Sequence, residues 1–162
     1  MTLGQGQVIN VGPQDLNLSV SQVLPAAGAA ATTGILDLQA LAPNSNAWRL
    51  GRFLVSIPAI PENNDTTKSY TIDLKVAPPS LTAGAAQVAP QNVVPGTFVA
   101  PTCAQKITIT GVGVTGSLAT NVYFTLAFDG SGSVYQFYEF VVTAPAGITA
   151  SGEVINIGWI NG

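Results

Sequence analysis

The chain contains no histidine, a single cysteine, and five basic residues against eight acidic ones. Without imidazole, Ser-His-Asp and Cys-His nucleophile activation and histidine-based metal sites are excluded. Cys103 has no intramolecular partner, which removes the disulfide-scaffold class and says nothing of compartment. With nothing to activate it, it reads as a small buried structural thiol. Arg49, Arg52, Lys68, Lys75 and Lys106, in a chain of net charge -3, form no patch able to neutralise a run of phosphates. Direct nucleic-acid binding is not expected.

Charge of either sign is scarce: 8% of the residues, against about 25% in an ordinary soluble domain. Little of the surface can be solvated by charge, so a bilayer or other protein copies should cover it. A spanning helix needs about 20 consecutive apolar residues. The longest comparable stretch, Leu24 to Ala31, is short and interrupted by Pro25 and Gly28. The aromatics cluster in Tyr123 to Phe140 instead of forming the two girdles of an outer-membrane barrel. No membrane partner is expected. Met1 to Gly12 has neither a basic residue nor an apolar core, so it does not read as a secretory signal, and synthesis for cytoplasmic use is expected. No Gly-x-x-x-x-Gly-Lys-Ser/Thr loop or strand-to-helix Gly-x-Gly-x-x-Gly unit occurs, and no cofactor is expected.

What is present is period-two alternation, and sustained helical periodicity is not. In Tyr70 to Val76, Tyr70, Ile72, Leu74 and Val76 point one way and Thr71, Asp73 and Lys75 the other. Val122, Phe124, Leu126 and Phe128 repeat the pattern, as do Ile107 and Ile109. The Asp129-Gly130-Ser131-Gly132-Ser133 loop, followed by the aromatic run Val134 to Thr143, predicts a central hairpin. Further strands are expected at Gln7 to Val11, Asn17 to Leu24, Gly34 to Leu38, Trp48 to Ile57 and Glu153 to Ile160. Only Leu24 to Ala31 has room for a helical turn. At 162 residues the chain is expected to be one domain, an all-β antiparallel sandwich of about eight strands and two sheets, of jelly-roll type. Strand spacing leaves an immunoglobulin-like winding open.

Ala77 to Pro101 carries five prolines, Pro78, Pro79, Pro90, Pro95 and Pro101, and is expected as an extended excursion that is neither helix nor central strand. Its Val93, Val94, Phe98 and Val99 are unlike a solvated linker. They are expected to lie against a partner or against the chain's own sandwich. A near-repeat joins the two ends, Val8-Ile9-Asn10-Val11-Gly12 and Val154-Ile155-Asn156-Ile157-Gly158. It reads either as convergence on strand-like sequence or as two edge strands able to pair with each other or with a neighbouring subunit.

Carboxylate pairs are the one catalytic option left. Asp129 and the Glu62/Asp65 pair sit in turns, where Asp bonds its own backbone, and Asp73 alternates with Lys75 on a wet face. Glu139 lies among Phe137, Tyr138, Phe140 and Val141 and needs a counter-charge, for which Arg49 or Arg52 is the candidate. Asp129-x-Ser131-x-Ser133 and Glu62 to Asp65 offer oxygen ligands but read as plain turns, not as metal sites. The protein is not expected to be an enzyme.

Taken together, the strand count, the very low charge, the lack of a signal, the Pro/Ala-rich arm and the edge-strand termini resemble a tailed-bacteriophage capsid decoration (cement) protein. The resemblance covers the general character of the chain and rests on no specific motif. It implies a structural protein on the outer capsid surface of a virion, made in the host cytoplasm. Its partners would be the major capsid protein, copies of itself, or both, with a homo-oligomer in the assembled state. It also implies that contacts fall on the amino-terminal segment (Val8, Ile9, Val11, within a possible arm 1–11), on the excursion (Val93, Val94, Phe98, Val99, within 77–101) and on the last strand (Ile157, Trp159). The competing reading is a carbohydrate-binding or adhesin-type sandwich using Trp48, Trp159, Tyr135 and Tyr138 as sugar platforms; against it, these rings are expected to fill the core.

Overall fold

The computed structural model describes residues 14–38, 51–81, 93–132 and 134–160, with backbone alone for 14–17, 79, 81 and 93. The strand expected at Gln7 to Val11, the contact residues Val8, Ile9 and Val11, and Trp48 and Arg49 lie outside the described residues. Eleven strands form among the described residues: β1 (Gln14–Val23), β2 (Ala30–Thr32), β3 (Leu36–Asp37), β4 (Arg52–Ile57), β5 (Ser69–Ala77), β6 (Pro79–Leu81), β7 (Val93–Pro95), β8 (Lys106–Thr110), β9 (Thr120–Thr125), β10 (Phe137–Thr143) and β11 (Val154–Ile160). There is no helix among the described residues apart from a single 3-10 position at Leu38, and Leu24 to Ala31 is a turn leading into β2.

All pairings are antiparallel. One sheet runs β1-β11-β4-β9; the other runs β2-β10-β5-β8, with β3 also on β10. β2 pairs with Val141 to Thr143 and β3 with Phe137 and Tyr138, so the two lie along one edge of β10 as an interrupted strand. At the interruption Thr33 takes over from the ladder: its amide donates to the Phe140 carbonyl (2.9 Å), and its hydroxyl accepts from the Phe140 amide (3.0 Å). Counting β2 and β3 as one and setting aside the β6–β7 ribbon, the first strand pairs with the eighth, the second with the seventh, the third with the sixth and the fourth with the fifth. Those pairs are what results when one long antiparallel ribbon is wrapped into two facing sheets. The sandwich is therefore a jelly roll, and the immunoglobulin-like alternative is ruled out by connectivity.

The core lies between the sheets, where alternation places it. β5 buries Tyr70, Ile72, Leu74 and Val76 and leaves Thr71, Asp73 and Lys75 half-buried on its outer face. An aromatic cluster bridges the layers. Phe53 of β4 meets Tyr138 (4.9 Å between ring centroids) and Phe140 (5.4 Å) of the facing sheet, and Trp159 (5.2 Å) of its own. Gly51 makes room for that indole, since a Cβ at 51 would lie 1.9 Å from the Trp159 ring. The Tyr138 hydroxyl serves both backbone groups of Ala127, accepting from its amide and donating to its carbonyl, each at 3.3 Å. Burial holds the Tyr138 phenol well above its ordinary pKa. Tyr138→Phe would strand the buried Ala127 amide, with a penalty of about 1–3 kcal/mol, while the Ala127 carbonyl keeps the Tyr135 amide (3.2 Å). Urea unfolding should show a loss of about 1–3 kcal/mol at unchanged m-value.

Three expectations are corrected. The predicted hairpin does not form: β9 belongs to one sheet and β10 to the other, and the Asp129 loop is a corner between layers held by a single bridge, Phe128 to Val134. β10 is interior and β9 is an edge. The last strand, β11, is not an edge, because β1 and β4 pair with it on both sides. The described part of the Pro-rich excursion is extended, as expected: β6 and β7 make a two-stranded ribbon apart from both sheets, and Val99 bridges to Val76. Finally, Cys103 is exposed, because it sits in the bend after that bridge and outside the sandwich.

Candidate interaction surface

Four connections meet at one end of the sandwich: 24–29 between β1 and β2, 58–68 between β4 and β5, 111–119 between β8 and β9, and 144–153 between β10 and β11. Hydrogen bonds join them in series. The Gly28 amide donates to Pro145 O (3.1 Å) and the Ala27 amide to Thr149 Oγ1 (3.2 Å), which ties the first to the last. The Ser151 hydroxyl donates to Glu62, which ties the last to the second. Ile60 and Ser117 exchange both backbone bonds (2.9 and 3.1 Å), and the Gly111 amide donates to Lys68 O (3.2 Å). Asn63, fully buried, inserts its amide between loops, donating to Ile109 O (3.0 Å) and Ser117 Oγ (3.4 Å). These bonds tie the four connections to one another and restrict their freedom.

The 111–119 loop is pressed against 58–68 at two glycines. A Cβ at Gly111 would lie 2.4 Å from Asn63 O, and one at Gly116 would lie 2.3 Å from Ile60 O. Gly116 also has φ +68°, a conformation L side chains rarely adopt. The loop so held turns its apolar side chains outward: Val112 is 55%, Leu118 68% and Val114 97% exposed. No charged residue lies in 111–119. An apolar tip held in this way suits an interface anchor, because little entropy is lost on binding. Sequence reading missed it. Val112, Val114 and Leu118 look like strand alternation, and only the turning glycines between them signal a loop.

On the outer face of the β1-β11-β4-β9 sheet, Ser21, Asn156, Ser56 and Asn121 stand in register across all four strands. Ser21 donates to Asn156 Oδ1 (2.7 Å) and Ser56 to Asn121 Oδ1 (2.8 Å). With Pro58, Ala119, Thr120 and Val154, three members of this row line an open groove of about 370 Å³. Nearby, Arg52 lies 4.2 Å over the ring of Tyr123. Arg52 therefore does not pair with Glu139, which sits on the other sheet opposite Lys75. Burial raises the Glu139 carboxyl above its usual range, and Lys75 partly offsets this.

The remaining expected contact residues fall into two groups. Val94 and Val99 are exposed and Phe98 is half-buried, all near the ribbon, while Val93 is described in its backbone only. Ile157 and Trp159 are corrected: at 0% and 1% exposure they are core, since both point inward from a strand paired on each side. The rings of Trp159 and Tyr138 are core as well, and Tyr135 is half-buried, so these three form no row of exposed sugar platforms. Among the described residues Tyr123 and Phe128 are the exposed aromatics.

Asp65 and Asp129 have matching local roles. Asp65 Oδ1 accepts from the Thr67 amide and hydroxyl (2.8 and 2.7 Å), and Asp129 Oδ1 accepts from those of Ser131 (2.8 and 2.7 Å). The Thr67 bonds, with a smaller pull from Lys68, hold the Asp65 carboxyl below its usual range. Both segments are turns. Glu62 and Glu153 each keep one buried carboxylate oxygen without a partner, and both carboxylates act on the Tyr70 hydroxyl, whose pKa is raised chiefly by burial. No group of three His, Cys, Asp or Glu able to hold a metal ion occurs among the described residues. No protein-family model, curated protein or solved structure matches the chain.

Proposed function

We propose that this protein is a non-enzymatic structural component of a virion that binds the outside of a capsid lattice and stabilises it by bridging subunits. The observation that carries the reading is the four-loop end, where a network of hydrogen bonds holds the segment 111–119, itself free of charged residues, with Val112, Val114 and Leu118 exposed to solvent. A chain of only 8% charged residues bearing such a tip suits burial among protein neighbours. Its partners are the major capsid protein and copies of itself. It is made in the host cytoplasm and ends on the outer capsid surface. The ribbon side chains Val94 and Val99 offer a second contact at the other end, so one molecule can touch two neighbours. Many modest contacts on a symmetric lattice then add through effective concentration.

A glycan-binding module is the second reading, favoured by one observation: the groove beside Ser56, Asn121 and Asn156 is polar and uncharged, as neutral hydroxyl-rich ligands require. Sedimentation of native lysate from the source, with mass spectrometry of the fractions, separates the two. Recovery with megadalton particles at constant ratio to a larger shell protein is the expected result. Recovery only as a free small protein would overturn the lattice reading and bring the groove forward.

A further inference from the structure

Among the described residues the edge of β9 is open. Its Thr125 end is closed by a side chain: Gln105 accepts from the Thr125 amide (2.9 Å) and donates to its carbonyl (3.0 Å), as a neighbouring strand would. Backbone groups alternate sides along an antiparallel strand, so Tyr123 and Asn121 aim their N–H and C=O the same way as Thr125, away from β4. Nothing among the described residues pairs with them there. The strand, Thr-Asn-Val-Tyr-Phe-Thr, carries neither the proline nor the charge that commonly protects a sheet edge. Beside it Val122 and Ile107 are only half-buried on the rim of the core, leaving apolar surface that another strand would cover.

The chain also contains a segment with the pattern this sheet uses. Val8-Ile9-Asn10-Val11-Gly12 repeats Val154-Ile155-Asn156-Ile157-Gly158. In β11 that pattern buries Ile155 and Ile157 and turns Asn156 outward into the Ser21-Asn156-Ser56-Asn121 row. Placed beside β9, Ile9 and Val11 would cover Val122 and Ile107, and Asn10 would extend the amide row from Asn121. We infer that the segment Gln7–Val11 of one copy adds as a fifth strand to the β9 edge of a second copy.

Reach excludes the molecule's own segment. β1 is at the far end of the sheet, so the position beyond β9 is four strand spacings away, about 19 Å. Only three Cα steps separate Val11 from Gln14, about 11 Å fully extended. The contact is head-to-tail unless two copies exchange segments reciprocally. It supplies residues for the self-association in the lattice reading, yet it is tested on purified protein alone, so the two can fail separately.

The test mixes two full-length variants, Asn10→Cys and Asn121→Cys, each in a Cys103→Ser background and one of them labelled with ¹⁵N, under mild oxidation. Paired residues on adjacent strands lie within disulfide range. A mixed disulfide dimer should exceed that from Asn10→Cys with Ser21→Cys, on the far strand, by about tenfold. Ile9→Pro added to the Asn10→Cys chain should remove the excess, and Ile9→Pro alone should sediment more slowly than the unaltered protein. Circular dichroism confirms that each variant is folded. An unaltered protein that sediments as a monomer, no excess over the Ser21 control, or an excess indifferent to Ile9→Pro would each overturn the inference.

Discussion

Trp159→Ala is expected to lower the unfolding free energy by about 3–5 kcal/mol, as large aromatic truncations in cores do. The indole is 1% exposed, meets Phe53 edge-on at 5.2 Å and rests on the bare Cα of Gly51, so its removal leaves a cavity in the core. Small domains have only about 5–15 kcal/mol in total. The variant should unfold at much lower urea concentration when followed by far-ultraviolet circular dichroism, which does not depend on the lost indole. Were Trp159 an inter-subunit contact, as the resemblance implied, the same change would weaken association and leave the isolated protein's stability within about 0.5 kcal/mol. The two roles thus give opposite results in one measurement.

The double variant Val114→Asp with Leu118→Asp should behave in the reverse manner. Both side chains are exposed, at 97% and 68%, so the folded protein gives up almost no burial, and its melting temperature should stay within about 2 °C of the original. In the lattice reading the two side chains are buried on binding, which contributes about 1.5–3 kcal/mol each. A carboxylate in their place would have to be desolvated without a partner. At about 1.4 kcal/mol per tenfold, recovery with sedimenting particles should fall by about 100-fold or more. Undiminished recovery of a folded double variant would remove the four-loop end from the interface and leave the ribbon residues Val94 and Val99 as the alternative.

The alternation in β5 was legible because it is local: each residue's face follows from its neighbour's, and Tyr70 to Val76 needs no knowledge of what lies opposite. The corner at Asp129 shows where this stops. Asp129 makes the same turn whether the chain returns along its own sheet or crosses to the other, since its bonds to Ser131 are made within the loop. Only the single bridge from Phe128 to Val134, with no ladder after it, tells the two apart. The position of β11 was hidden for a related reason. Val154-Ile155-Asn156-Ile157 has the alternation of a strand with one wet face, which interior and edge strands share in a sandwich. What marks the interior position is continuous burial from Ile157 to Ile160.

The candidate surface was less legible than the fold. Val112, Val114 and Leu118 are apolar and alternate with glycine and polar residues, so by sequence they belong with the buried strands. Gly113 and Gly116, at φ +82° and +68°, turn that stretch out of strand geometry and expose it. Cys103 was misjudged in the same way: a thiol prefers burial, but its burial depends on what packs over the segment after Val99.

By itself the sequence determined the class of the protein, an antiparallel β domain too poor in charge to solvate its surface in the usual way and without the imidazole that most hydrolytic chemistry uses. Composition and period-two alternation suffice for that, since both are sums over local preferences. The tertiary structure alone decided the winding into a jelly roll, which strands have an open edge, and which of many apolar side chains face water. Those outcomes depend on pairings between residues far apart in the chain, and the same local pattern is compatible with several of them.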